Sequence, residues 1–246
     1  MKEFRADLHI HSVLSPCGDL EMSPRNIIKR ALEMKLDIIG ISDHNSTKHG
    51  PLMRKIGIEE KIFVLTGAEV TSREEAHCLA FFENNDQLTD FQKYLDEKII
   101  PFPNDTQRFG HQVVVDENEI ILHEEENLLF NAIDQSVEEI EQMVHMLGGL
   151  FIPAHINRTR NSLISQLGFV PSGLKADALE LSRHISKEEF LGSNQYLKDY
   201  TFLHSSDAHF PEDIGIAPSV FQLQEISFSE IRMALANEGG RKVIFP

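Results

Sequence analysis

Two histidines one residue apart, His9 and His11 in the stretch DLHIHS, close an apolar run that reads as a buried β-strand. Side chains on a strand alternate between faces, so both imidazoles point the same way and can grip one metal ion. Alone, such a pair could equally be two ordinary histidines at a strand end. The pattern recurs, however: His44, Glu69, His77, His155, Asp207 and His209 all lie at or just beyond later apolar runs. In a parallel α/β barrel the strand ends on one face converge, which would gather six imidazoles and two carboxylates in one place. Singly, His155 would read as a hydrogen-bonded core histidine and Glu69 as the partner of a buried arginine. Jointly, two carboxylates without a cation would be costly to bury, and metal binding removes that cost. So many nitrogen donors suit zinc, manganese or iron better than calcium, and they exceed what one tetrahedral ion needs. Two to three divalent ions are expected.

The elements that must position these groups are short apolar runs separated by helical segments, the pattern of β-strand and helix units around a largely parallel sheet. The first strand reads as Arg5 to His9. SPRNIIKRALEM follows, with Ser23 as N-cap, Pro24 at the first helical position and Ile27, Ile28, Ala31 and Leu32 as the apolar face. LDIIGIS runs into Asp43, His44 and Asn45; IFVLTGAEV carries Glu69; a further run covers His77 to Phe82. From 84 to 126 the pattern loosens into a polar helix, PFPNDTQRFG and a hairpin turning at Glu117 and Asn118. This segment reads as an insertion, a lid or specificity element, in a single domain spanning 1–246. Ser136 opens a capping box before the next helix, and LFIPAHI delivers His155. Later strands are Ala178 to Leu181 and Thr201 to Ser206, the second ending in Asp207 and His209. A second capping box, Ser227 to Glu230, opens the last helix, which Gly239 and Gly240 close. Met22, Met34, Met143 and Met146 fall at helical spacings and are expected in the core.

The 23 Lys+Arg against 39 Asp+Glu give a formal charge of −16, which argues against a surface that coats long nucleic acids. A small anionic substrate stays open, because bound cations reverse the local sign of a pocket. Two cysteines, Cys17 and Cys78, make no disulfide framework. MKEFRADLHI does not read as a signal peptide and no run is long enough for a membrane span, so the cytoplasm is the expected location. His49, His111, His123, His145, His184 and His204 lack the strand-end placement; His145 is expected on a helix surface and His184 in a structural role, with the pocket rim as the alternative.

DLHIHS, SDHN, GAEV, His77, PAHI and SSDAH, in this order and at these separations, resemble the PHP family, the polymerase and histidinol phosphatase superfamily. The resemblance covers nearly the whole chain, with 84–126 least constrained. It implies a distorted (β/α)7 TIM-like barrel with a trinuclear metal centre at the strand ends. By resemblance, His9, His11, Glu69 and Asp207 hold one ion, and Glu69 bridges to a second held also by His77 and His155. His44 and His209 hold a third. The loop after the HxH departs from the Ser-Asp of many relatives and reads SPCGD; Asp19 is taken as the remaining ligand and Cys17 as the weaker choice.

The activity implied is phosphoester hydrolysis by a metal-activated hydroxide, with Asp207, His44 and His209 at the reacting centre and a protonated His209 or His44 assisting the leaving group. Arg158 and Arg160 are candidates for a bidentate grip on phosphate, against a reading as solvated surface. Relatives often carry Asp-Arg after the strand histidine; here Asn157 precedes Arg158. The leading substrate is a small phosphomonoester such as histidinol phosphate or a nucleotide. The alternatives are a nuclease acting on short oligonucleotides and a metal-binding module without activity.

Overall fold

The computed structural model describes residues 1–245; Pro246, the last residue of the expected domain, lies outside them. In chain order the elements are β1 (Lys2–Ile10), α1 (Pro24–Glu33), β2 (Ile38–Ile41), α2 (Gly50–Glu60), β3 (Phe63–Thr71), β4 (His77–Phe82) and α3 (Asn85–Lys98). There follow α4 (Thr106–Phe109), β5 (Val113–Val115), β6 (Ile121–Glu124), α5 (Val137–Met146), β7 (Leu150–Pro153), α6 (Leu163–Leu167) and β8 (Leu179–Leu181). The chain finishes with α7 (Lys187–Ser193), β9 (Phe202–His204), β10 (Ser219–Leu223), α8 (Phe228–Leu235) and β11 (Lys242–Ile244).

Seven strands form one curled mixed sheet in the order β11-β10-β1-β2-β3-β4-β7. A parallel β8–β9 pair completes a TIM-like barrel around it. On one side, Asp177 N–H donates to Phe151 O and Ile156 N–H to Glu180 O, which ties β7 to β8. On the other, Ala208 N–H donates to His9 O and His11 N–H to Ala208 O, tying the end of β9 to β1. The ring β1-β2-β3-β4-β7-β8-β9 is therefore continuous, with β10 and β11 extending outward from β1.

The expected largely parallel arrangement holds for β1-β2-β3, for β8–β9 and for the bridge that joins Ile10 of β1 to Ala208. The β3–β4, β4–β7, β1–β10 and β10–β11 pairs are antiparallel. The reason at β3–β4 is connection length: Ser72 to Ala76 can close a hairpin, whereas a parallel return needs a dozen residues or more.

Inside the barrel, Leu8, Leu65, Leu79, Phe81, Ile152 and Leu203 pack on Phe228, Ile231 and Leu235 of α8, which seals one end with an apolar floor. The same inward rows continue upward into polar groups. Glu69 follows Leu65 and Gly67 on β3, His77 precedes Leu79 on β4, and Glu180 follows Ala178 at β8. On β1 the parity changes between Leu8 and His9, where the pairing with β2 shifts register between Asp7 and Ile10. An irregularity of this kind re-aims a strand, and here it turns the HxH inward.

Several local expectations are revised. Ser23 precedes α1 but its hydroxyl makes no cap; it donates to Glu119 instead. Ser136 forms the expected capping box with Glu139, whereas at Ser227 only half of one forms, because the Glu230 carboxylate is taken by Arg241 and Gln224 N–H. Helix α3, at the start of the 84–126 segment, packs on the barrel, with Leu88, Phe91 and Leu95 buried in the outer core. The β5–β6 hairpin is present, turning through Asp116 to Ile120, and is anchored by buried Val113 and Val115. Met22 is buried in the loop before α1, while Met146 is 74% exposed at the end of α5 and is no core residue. His145 lies on α5 half-buried between Glu141 and Asp177. No helix among the described residues is long and apolar enough to cross a membrane.

Candidate metal centre

Glu69 is the hub. Its two oxygens lie 2.9 to 3.4 Å from nitrogens of five histidines, His9, His11, His44, His77 and His155, and all of these side chains are buried. Asp207 adds Oδ1 at 3.3 Å from His9 Nε2 and 3.4 Å from His11 Nε2. The strand ends bring these groups together, and two of them sit on left-handed backbone, His155 with φ +30° and Asp207 with φ +52°. Such positions are unfavourable for side chains other than glycine, and they turn the chain sharply at the barrel mouth.

Hydrogen bonds behind the cluster fix which nitrogen faces it. His9 Nδ1 donates to Glu180, 3.0 Å to Oε2 and 3.2 Å to Oε1, so Nε2 points inward. Glu180 Oε2 also accepts the His155 backbone N–H at 2.8 Å. His11 Nδ1 donates to Ser15 Oγ at 3.0 Å, and that hydroxyl donates to Asp43 Oδ1 at 2.8 Å, so His11 also presents Nε2. Asp43 further accepts Ser12 N–H and Ser12 Oγ–H, and buried His49 bonds the same Ser12 hydroxyl and takes Val115 N–H at Nε2. His209 Nδ1 donates to Asp207 O at 2.9 Å. The SDHN loop runs beside β3, with Asn45 N–H on Glu69 O, and the Asn45 amide holds Leu129 O and Asn131 O at 2.7 Å each. That grip sets Phe130 edge-on over His44 and His77.

The electrostatics favour a cation. Burial opposes ionisation of Glu69 and Asp207, yet the surrounding imidazoles outweigh it and hold both carboxyls well below the usual range. Burial likewise opposes charge on His9, but Glu180, Glu69 and Asp207 outweigh it and hold that imidazole well above its usual value. His44 is pushed the other way, by burial and by His11, His77 and His209. His9 Nε2 and His11 Nε2 stand only 3.1 Å apart, and the buried Nδ1 atoms of His44 and His155 have no hydrogen-bond partner. Nitrogen atoms crowded together and left unpartnered around ionised carboxylates are what a divalent ion would satisfy. The residues fit a metal centre.

Three sets of ligand atoms each lie within 4.8 Å of one another: His9, His11 and Glu69; His44, Glu69 and His77; and His11, Cys17, His44 and His209. Asp207 joins the first set by its contacts above. His155 touches Glu69 Oε1 at 3.1 Å but falls outside the second set, where His44 takes its place. Asp19 is in none of them: its Oδ1 accepts Glu21 N–H at 2.8 Å, an Asx turn within the loop, and Cys17 stands in the expected place.

Above the cluster opens a cleft of about 440 Å³ with Arg158, Arg160, Asn161 and Phe130 in its wall. Arg158 pairs with Asp207 Oδ2 at 2.5 Å. Asn157 turns away and exchanges hydrogen bonds with Ser182, a clamp between the ends of β7 and β8. Asn161 Nδ2 lies 3.1 Å from His77 Nε2. Sequence reasoning passed over Glu180, although a lone acid in the apolar run ALEL carries the same signature as Glu69. Phe130 and Asn161 come from irregular loops and carry no such signal.

The uncharacterised protein YqxK of Bacillus subtilis is 25% identical over 99% of this chain, which spans 65% of that relative's length. The lesion-specific endonuclease PfuEndoQ from Pyrococcus furiosus superposes with a TM-score of 0.77 at 22% identity, over 98% of this chain and 58% of its own. A Bifidobacterium adolescentis protein described as a metal-dependent phosphoesterase superposes with a TM-score of 0.58 at 17% identity, over 94% of this chain and 95% of its own. The family model for the PHP domain matches residues 7–154, more than half of the sequence. That span begins at the strand carrying His9 and His11 and takes in His44, Glu69 and His77, so the hub of the cluster and most of its partners lie within it, and the chain belongs to the PHP domain family.

Proposed function

We propose that the protein is a metal-dependent phosphoesterase that hydrolyses a small phosphomonoester, with up to three divalent ions of zinc, manganese or iron at the Glu69 hub. The observation that carries this reading is the pairing of a buried His/carboxylate cluster with arginines at the mouth of one cleft of about 440 Å³. That volume suits a single phosphorylated metabolite. His9, His11, Glu69 and Asp207 would hold the first ion, Glu69, His77 and His155 the second, and His44 and His209 would serve the third. Bound ions supply Lewis-acid stabilisation of phosphoryl oxygens and lower the pKa of a water molecule.

The chain's own groups do the rest. Arg158, steadied by Asp207 Oδ2, and Arg160 orient the phosphate, as guanidinium forks match its oxygens. Phe130 covers His44 and His77 and excludes water from that side. Burial and His11 push His209 down to about 4, so it is neutral near pH 7, with its proton at Nδ1 held by Asp207 O. This favours His209, and likewise buried His44, as nitrogen ligands and not as leaving-group acids.

The likeness to PfuEndoQ over 98% of this chain favours a second reading, a nuclease acting on a nucleic-acid phosphodiester. The charge of −16 favours short over long strands. The test is phosphate release from a panel of phosphomonoesters beside cleavage of short oligonucleotides and lesion-bearing duplexes, with and without chelator. Turnover of monoesters that stops with chelator is expected. Cleavage of nucleic acid alone would replace the first reading by the second, and activity of a metal-free preparation would overturn both.

A further inference from the structure

The loop after the HxH is built to present a thiol. Ser15 O accepts Gly18 N–H at 2.9 Å, closing a β-turn with Pro16 and Cys17 at its centre, where proline's fixed φ suits the first central position. Gly18 has no alternative, since a Cβ there would meet Ser12 O at 2.4 Å. Gly110, from the segment after α4, rests on Pro16 O, where a Cβ would come within 2.5 Å, so the turn is braced from outside as well. The result is Cys17 in the cleft wall, its sulfur within 4.8 Å of nitrogens of His11, His44 and His209. His11 stacks on His209 with ring centroids 4.3 Å apart, and His44 lies 4.6 Å from His11. His44 is 2% exposed, and its Nδ1 makes no hydrogen bond, with Glu69 Oε2 at 3.2 Å.

We propose that Cys17, and not Asp19, completes a Cys/His site with His44 and His209, and that this site selects a thiophilic divalent ion, zinc above all. The inference rests on the metal-centre reading above. If His11 serves the set it shares with His9 and Glu69, Cys17, His44 and His209 remain, three protein ligands of the kind that hold zinc with one position open. Thiolate among imidazoles discriminates against manganese, which prefers oxygen. The thiol proton leaves to solvent as the ion binds. Asp19 is committed elsewhere, through its Oδ1 to Glu21 N–H and its own N–H to His209 O.

The test uses the full chain stripped of metal and titrated with cobalt(II), read by absorbance and elemental analysis. Expected is a near-ultraviolet thiolate-to-cobalt charge-transfer band that is lost in Cys17→Ser together with about one ion per chain, and retained with full stoichiometry in Asp19→Ala. Because a variant can misfold, the unmodified protein supplies a second readout: zinc should slow alkylation of Cys17 by iodoacetamide at least about tenfold, while Cys78, fully buried in β4, stays silent throughout. Cobalt bound without a thiolate band, a band that survives Cys17→Ser, or alkylation indifferent to zinc would overturn the Cys17 assignment and leave the other sites standing. If no cobalt binds at all, the metal-centre reading falls and the assignment with it.

Discussion

Glu180 accepts a hydrogen bond from His9 Nδ1 at 3.0 Å and, through the same Oε2, one from the His155 backbone N–H at 2.8 Å. One buried carboxylate thereby orients a histidine on β1 and the backbone of another beyond β7, two strands that do not pair directly. Oriented, polarised imidazoles bind metal better than free ones, and loss of such a partner typically costs 10- to 100-fold in affinity. Glu180→Gln is therefore expected to weaken metal binding by about that range while the fold persists. Competition with a chromophoric chelator measures it, and unchanged affinity would show the contact to be structural only.

Glu69 touches five histidines, so under the proposed metal centre its replacement is expected to disturb more than one ion. In Glu69→Gln, metal content by elemental analysis and turnover on the preferred phosphoester should fall together. A variant that keeps full metal stoichiometry would speak against Glu69 as a bridge.

Gly67 on β3 lies so close to β4 that a Cβ would stand 1.7 Å from Ala80 O. Backbone on both sides leaves nothing flexible to give way. Gly67→Ala should cost at or beyond the upper end of the about 1–3 kcal/mol typical of overpacking, seen as a lower urea midpoint. Gly173→Ala, where a Cβ would meet nothing within 4 Å, is the control and should shift the midpoint little.

His145 is held above its usual value chiefly by its hydrogen bond to Asp177, with Glu141 adding to it against partial burial. A raised imidazole pKa adds stability that is fully present below the unfolded value of 6.5 and lost as pH rises through the folded one. His145→Gln should accordingly lower the melting temperature at about pH 5.5 and much less at about pH 9. An equal deficit at both would assign the effect to packing instead of charge.

The sequence alone determined the family, the His and carboxylate types that cluster and most of the strand ends, because the proposed metal centre needs such side chains and the barrel needs apolar runs directly before them. DLHIHS, GAEV and PAHI each show both features in a few consecutive residues, and local patterns are what a sequence displays. It also supplied the helix that begins at Ser136, where cap and apolar face are adjacent in the chain. What the tertiary structure decided lies between segments. Whether Asp19 or Cys17 faces His209 depends on the turn at Pro16 and on Gly110, 94 positions away by their numbering. The direction of β4 depends on the brevity of its link to β3, and α3 joined the barrel because Phe91 and Leu95 found the core there. Glu180 gained its role from a histidine 171 residues distant. Spacing along the chain does not encode which groups meet across a barrel; closure of the strands and burial of their apolar faces do.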